Sequence, residues 1–338
     1  MSKIAFIYDG FTVYWSPLVI AAAVAVGIIL AFGIIIAKKQ SALAFAVMLP
    51  PAFVFSMIFA RLIHWYCCTD RYDSLAQAFS DFSVGGFSLV GIVVGCIFAA
   101  LIVRGLGLTK NLSAFLDCLA PAAALSVALG RLSFLFNSAD RGKILIENPA
   151  NQHLPLGSAV INTTSGAVQW RFATFFFQSM IAAVIFVAVL VLLVVFSVRK
   201  YKNGKKADGA VSVIFLTLFF AGEVILDSTR YDAIFLRSNG FVSLMQIFGL
   251  VILLALTVIL TVRSIKMSGF GVKTLVMIIG VVAGLGAAGY MEYYVQRHGN
   301  LYMMCYTIMA IGLIVTSASV IYLMLSTIQK RVKYVPKH

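Results

Sequence analysis

The feature that most constrains this chain is its set of nine long apolar stretches, at about residues 16–37, 41–66, 84–106, 112–137, 173–198, 209–228, 241–263, 272–290 and 301–327. A helix of ~20 such residues crosses ~30 Å of hydrocarbon. Lipid offers no hydrogen-bond partner, so each crossing segment must satisfy its own backbone as a helix. Of the 338 residues, 62% are hydrophobic and 11% are charged, against roughly 25% charged in soluble domains. A soluble globular fold is excluded, and the expected fold is an all-α polytopic membrane protein with nine spans. Residues 1–15 carry aromatics and one lysine, and the first apolar run is followed by Lys38 and Lys39. That pattern predicts a retained first span rather than a cleaved signal peptide.

The net charge of +14 gives the orientation. Sixteen of the 26 basic residues fall with the loops after spans 1, 3, 5 and 7 and the C-terminus, and eight fall on the opposite side. Arg61 and Arg131 lie within spans. The excess of Lys and Arg on the cytoplasmic side predicts the N-terminus outside and the C-terminus in the cytoplasm. Asp9, Asp70, Asp73, Asp81, Asp140, Glu147, Asp232 and Glu292 fall in the outer set. The basic runs 199–206 and 330–337 read as anchors to anionic headgroups, and no nucleic-acid partner is expected. The outer segment 138–172, with Arg141, Lys143, His153, Pro155, Gly157 and Arg171, is long enough to cap a site.

Charge inside hydrocarbon costs ~2.5–3.5 kcal/mol per residue, which makes each buried ionisable group a candidate for function. Span 2 carries Arg61 and His64, span 4 carries Asp117 and Arg131, and span 6 carries Glu223 and Asp227, with Arg230 just beyond. All except Asp117 fall in the outer half. Glu223, Asp227 and Arg230 are spaced i, i+4, i+7 and share one helical face, so three charged faces are expected to converge on an outer-leaflet cavity. Two readings stay open. Glu223 and Asp227 could neutralise Arg61 and Arg131 in a structural ion-pair network, or the cluster could also meet a ligand. Arginine grips phosphate bidentately, which suggests a phospholipid headgroup. His64 reads either as a general base or as an aromatic-belt residue beside Trp65 and Tyr66. Asp117 reads as a helix-start or interfacial acid.

Other features exclude more than they assign. Gly280, Gly284 and Ala288 form a small-residue packing surface. Cys96, Cys118 and Cys305 sit in apolar runs, and Cys67 and Cys68 are adjacent without metal-ligand spacing. There is no phosphate-binding loop, zinc-ligand cluster or nucleophile elbow, so no metal and no cofactor are expected. A transporter would carry repeats with paired broken spans, and Pro50, Pro51 and Pro121 belong to no such repeat.

Several segments together resemble the bacterial prolipoprotein diacylglyceryl transferases over roughly residues 10–263, the seven-span unit of that family. Ala60-Arg61-Leu62 is similar to the family's Ala-Arg-Leu, and Gly85-Gly86-Phe87-Ser88 to its Gly-Gly-Met-Ser. Gly130-Arg131-Leu132, with Asn137 and Gly142, resembles the signature Gly-Arg-x-Gly-Asn-x-x-Asn-x-Glu-x-x-Gly. Gln178 falls in the Pro-Ser-Gln-Leu-Tyr-Glu segment. Gly222, Asp227 and Arg230 match the Gly, acid and Arg of the span-6 run, and Ser243 and Gln246 match Ser-x-Gly-Gln. Departures fall at the centre. The family histidine is replaced around Val90-Gly91-Ile92, the signature Asn and Glu are Phe134 and Ala139, with Asp140 adjacent, and an arginine of span 6 is Glu223. The span-5 Glu is Ile181, and Trp-Tyr-Gly becomes Trp15-Ser16-Pro17.

The resemblance implies transfer of a diacylglyceryl group from phosphatidylglycerol to the lipobox cysteine of a prolipoprotein at the outer leaflet of the bacterial cytoplasmic membrane. The implied partners are phosphatidylglycerol or another anionic phospholipid and the lipobox peptide. Arg61, Arg131 and Arg230 are expected to clamp phosphate, and Asp227 to orient an arginine or accept a proton. His64 would serve as base, and Arg131 is counted with Asp227 and His64 as catalytic. Gly85, Gly86, Ser88, Asn137, Gly142, Gln178, Glu223 and Gln246 are expected to line the site. The altered centre leaves a second reading, a catalytically inactive or repurposed relative that binds phospholipid or lipoprotein precursors. Residues 1–263 would form the transferase-like domain, and 264–338 would add two spans and a basic tail.

Overall fold

A computed structural model describes residues 3–9, 11–81, 86–137, 139–142, 144–146, 157–161, 168–198, 207–236, 240–299 and 301–333. Gly85, Lys143, Glu147, His153, Pro155, the basic run 199–206 and residues 334–338 lie outside them. The chain opens with an antiparallel hairpin of β1 (Ile4–Tyr8) and β2 (Phe11–Tyr14), which runs directly into α1 (Trp15–Ala37). There follow α2 (Ala42–Cys67), a 3-10 turn (Thr69–Arg71), the short α3 (Leu75–Ser80), α4 (Leu89–Gly105), α5 (Leu112–Arg131) and a second 3-10 turn (Leu132–Phe136). Between α5 and α6 (Thr174–Val198) lie β3 (Ile144–Ile146), β4 (Gly157–Ile161) and β5 (Val168–Phe172), in an antiparallel sheet of order β3-β5-β4. The chain continues through α7 (Ala210–Thr229), α8 (Leu244–Ser268), α9 (Val272–His298) and α10 (Tyr302–Lys333).

The protein is an all-α polytopic membrane protein. Eight helices among the described residues are long and apolar enough to cross a bilayer. The ninth expected span is α4, which at 17 residues stands at the short end of the ~17–25 that suffice. It starts at Leu89 rather than near residue 84. At the other end of the chain, α9 runs to His298, so Glu292 is buried inside a helix and not in an outer loop. The strands were not legible as apolar runs. Outward-facing side chains such as Val184 (68% exposed) and Ile314 (66% exposed) face the lipid that replaces water around these helices.

Lipid is as apolar as leucine, so helices here associate through close packing rather than hydrophobic exclusion. The sequence meets that need with glycine where α2 packs on α4 and α9 on α10. A Cβ at Gly91 or Gly95 would overlap the α2 backbone at Phe59–Ala60 or Phe55–Ser56. Gly284 and Gly312 stand against each other's carbonyl oxygens, and Gly280 faces Ser319. The Gly280, Gly284, Ala288 surface is therefore a face of α9 packed on α10.

Near the start of α5, Asp117 caps another helix. Its carboxylate accepts from Gly209 N–H (2.7 Å), Ser212 N–H (2.7 Å) and Ser212 Oγ (2.8 Å). The two N–H groups open α7, where the first turn of a helix leaves its donors without intrahelical acceptors. The expected helix-start acid is real, but the helix it starts lies 92 residues downstream.

The glycine crossing gives a test. Gly91→Val should lower stability in detergent by about 3 kcal/mol through overpacking. Gly33→Val, where a Cβ would meet nothing within 4 Å, should leave it unchanged. Thermal unfolding of both purified variants measures the difference.

Candidate functional site

The termini of α5, α6, α7 and α8 on one side of the bundle bring together a network of buried charge. Arg131 is the last residue of α5 and Glu223 lies in α7, and both are buried. Arg131 Nη2 donates to Glu223 Oε2 (3.1 Å) and Oε1 (3.2 Å), while Nη1 is paired with Asp140. Asp140 follows the second 3-10 turn in left-handed backbone, φ 53°, a region that Asp tolerates better than most residues. Its other oxygen lies 2.5 Å from Arg230 Nη2, so one carboxylate joins the guanidinium of α5 to the one that ends α7.

Arg230 is surrounded by acids. Its Nη1 meets Asp227 Oδ1 at 2.9 Å and its Nε meets Asp232 Oδ1 at 3.1 Å. Burial alone would disfavour the Arg230 cation, and Asp140, Asp227 and Asp232 overcome that and hold it charged above the usual arginine range. Asp232 Oδ2 also accepts the Asp140 N–H at 2.9 Å. Asp227 accepts a bond from Ser243 Oγ, and Ser243 caps α8 in a reciprocal box with Gln246. In that box Ser243 N–H donates to Gln246 Oε1 (2.8 Å), Gln246 N–H donates to Ser243 Oγ (3.2 Å), and Gln246 Nε2 reaches Val224 O (3.1 Å). From α6, Gln178 Nε2 donates to Glu223 Oε2 at 2.9 Å.

Backbone around the network is fixed by Gly142, which forms a bridge with Arg230 and donates its N–H to Phe172 O at 2.7 Å. A Cβ there would press on Phe172 and Thr174. Asn137 Nδ2 donates to Ser16 Oγ at 3.0 Å, and Phe136 stacks on Trp15, which ties this turn to α1. Arg141 turns away from the acids. Its Nη2 donates to Phe134 O and Asn137 O, both at 3.0 Å, and its guanidinium lies over Phe175. Burial lowers the Arg141 pKa, with Tyr231, Asp140 and Asp232 opposing.

Arg61 and His64 form a second cluster on α2. Arg61 Nη1 donates to Gly86 O (2.8 Å) and Tyr72 Oη (3.3 Å), Nη2 reaches Asp81 O, and the guanidinium lies over the Phe87 ring. Tyr72 Oη is 2.9 Å from His64 Nδ1. Gly86 has φ 85°, and a Cβ there would run into the His64 ring. His64 is buried, 3% exposed, and is not a belt residue at the surface, whereas its neighbour Tyr66 is half exposed. Ser88, also buried, donates its N–H to Ala60 O at 3.1 Å.

Of the three charged faces expected to converge, those of α5 and α7 meet in one network, and Arg61 of α2 is held by Tyr72, Asp81, Gly86 and Phe87. Of the expected ion pairs, Glu223 with Arg131 is present, while Asp227 pairs with Arg230. Asp140 and Asp232 were not expected in the site. Both lie outside any helical repeat, and the visible signals were the polar segment after the fourth span and, for Asp140, its place beside Ala139 at the signature Glu position.

The network gives a stability test. Asp140→Asn would leave two buried guanidinium groups short of a charged partner, and removing one member of a buried pair costs about 3–5 kcal/mol. Chemical unfolding of wild type and variant should show a loss near the lower figure, since the amide keeps part of the hydrogen bonding.

Comparison with known proteins adds to this geometry. The family described as prolipoprotein diacylglyceryl transferase matches residues 3–262. Among its relatives is the phosphatidylglycerol-prolipoprotein diacylglyceryl transferase of Synechococcus sp. (strain CC9902), 25% identical over 232 residues, covering 68% of this chain and 79% of the relative. The proteins of the same name from Clostridium botulinum (strain Loch Maree / Type A3) and Clostridium novyi (strain NT) are each 24% identical. These matches cover 75% and 78% of this chain and 94% and 96% of those proteins.

Proposed function

The chain belongs to the prolipoprotein diacylglyceryl transferase family, and on that footing we propose that it transfers the diacylglyceryl group of phosphatidylglycerol to the lipobox cysteine of a prolipoprotein. The observation that supports this most directly is the pair of buried guanidinium groups, Arg131 and Arg230, joined through Asp140. The reaction takes place at the outer face of the bacterial cytoplasmic membrane, with the N-terminus outside and the C-terminus in the cytoplasm. Residues 1–263 carry it, and α9 and α10 are an addition to that unit.

The cysteine sulfur attacks the glycerol carbon that bears the phosphate. A C–S bond forms, the C–O bond breaks, and its electron pair leaves with the headgroup phosphate. Arg131 and Arg230 stabilise the phosphate charge as it develops. Both guanidinium groups are already matched by carboxylates, which holds them in place before the lipid arrives and limits reorganisation during the step. Asp227 fixes Arg230 through its 2.9 Å contact. Arg61 serves as a further phosphate contact, and His64, oriented by Tyr72, accepts the thiol proton. Asn137 and Gly142 fix the turn that carries Asp140, Gln178 and Glu223 complete the Arg131 shell, Gln246 supports Ser243, and Gly86 and Ser88 form the floor under His64.

The test is transfer of a labelled diacylglyceryl group from phosphatidylglycerol to a lipobox peptide by the purified protein in lipid nanodiscs. Arg131→Ala should lower the rate by about 10²–10³-fold, the usual effect of losing a charge-stabilising donor. His64→Asn should lower the rate by about 10²–10⁴-fold, the usual contribution of a positioned base. Phospholipid binding without transfer at any pH would instead identify a non-catalytic relative.

A further inference from the structure

The family match ends at residue 262, so α9 and α10 stand outside the unit that carries the proposed reaction. They are nonetheless built into it. α10 packs on α7 and on α8 as well as on α9, and α7 and α8 are the helices that supply Asp227 and its partner Ser243. Two tyrosines of the addition reach the chain beside these residues. From α10, Tyr306 Oη donates to Ser228 O at 3.4 Å and lies 3.5 Å from Ser228 Oγ. Ser228 is the residue after Asp227. From α9, the Tyr293 ring meets the Phe241 ring edge-on, with centroids 5.5 Å apart. Phe241 stands two residues before Ser243.

A helix ends in carbonyl groups that have no partner within it, and the last turn of α7 shows where they go. Leu226 O accepts from Thr229 Oγ1 at 2.7 Å, and Asp227 O accepts the Arg230 N–H at 3.1 Å. Ser228 O takes its bond from Tyr306, a donor on another helix. Ser228 is 2% exposed, so water is poorly placed to replace that donor. The turn closed in this way aims both Asp227 and Arg230. Arg230 meets three carboxylates through three different nitrogens, so a small rotation of this backbone disturbs all three contacts at once. On the other side of Asp227, Phe241 leads into Ser243, whose hydroxyl donates to the same carboxylate. An edge-on aromatic pair fixes the direction of that approach.

We propose that α9 and α10 complete the reaction site from outside the family unit, with Tyr306 and Tyr293 as positioning residues that hold Asp227 and Arg230 against the departing phosphate. This rests on the proposed transfer reaction, in which Arg230 stabilises that phosphate. Tyr306 acts through the backbone of Ser228, and Tyr293 acts through Phe241 and the start of α8. Neither supplies charge to the reaction. Their part is to keep the guanidinium of Arg230 from having to reorganise as the phosphate charge develops.

The full-length protein in nanodiscs decides this with two variants, Tyr306→Phe, which removes one oxygen atom, and Tyr293→Leu, which removes one ring. Hydrogen–deuterium exchange read by mass spectrometry needs no turnover. In Tyr306→Phe, exchange over residues 226–232 should quicken about fivefold, the worth of one neutral hydrogen bond, while the start of α7, capped by Asp117, stays as it is. Steady-state transfer to a lipobox peptide reads the effect on the reaction. Each variant should lower kcat about fivefold, with the phosphatidylglycerol fraction at half-maximal rate, the apparent KM, moving less than about twofold. Tyr322→Phe, 41% exposed on α10 and about four turns further along it, should change neither reading. Unchanged exchange over 226–232 overturns the proposal whether or not transfer is seen. Wild-type kcat in either variant, or a KM that moves as far as kcat, also overturns it, because the tyrosines would then serve the fold or lipid entry and not the step. Should Tyr293→Leu not fold, Tyr306→Phe applies the same criteria alone. Absence of transfer by the wild type sinks the proposed function, and exchange then decides by itself whether α10 holds the end of α7.

Discussion

One end of this bundle depends on Asp140. One carboxylate touches the guanidinium that ends α5 and the one that ends α7, so two helices far apart in sequence share a counter-ion. Neither arginine could remain charged and buried alone. The rest of the cluster is arranged around this bridge. Glu223 and Gln178 complete the shell of Arg131, Asp227 and Asp232 complete that of Arg230, and Ser243 carries the network into the cap of α8. The turn that bears Asp140 is held in turn by Asn137, by the stack of Phe136 on Trp15, and by the backbone bridge between Gly142 and Arg230.

The same arrangement explains why the arginines suit a charge-developing reaction. A guanidinium whose carboxylate partners are fixed by caps and turns does not have to find its position when a phosphate appears. Acids crowd around Arg230, where Asp140, Asp227 and Asp232 all meet one guanidinium group.

The fold was largely legible because lipid enforces one rule on the backbone and writes it as long apolar runs. α1, α2, α5, α6, α7 and α8 stand where those runs predicted, and the Gly280 and Gly284 spacing pointed correctly to helix packing. The sheet between α5 and α6 was not, since short strands in a polar segment leave no comparable pattern, and the β1–β2 hairpin was missed although two apolar runs flank an Asp-Gly pair in the sequence. The site was half legible. Glu223, Asp227 and Arg230 share a face by helical period, which gave their mutual proximity. Asp140 and Asp232 act from irregular backbone, where sequence spacing carries no geometry. The partners of Arg61 were likewise invisible, because periodicity gives the face of a helix and not which neighbour it meets.

The cap that Asp117 places on α7 has a consequence for assembly during synthesis. The acceptor is made before the donors, since α5 leaves the ribosome some 90 residues ahead of Gly209 and Ser212. When α7 enters the bilayer, the carboxylate that satisfies its first N–H groups is already in place. The order of translation thus matches the order in which backbone groups need partners, and α7 need not hold an open helix end in lipid while the remaining helices arrive.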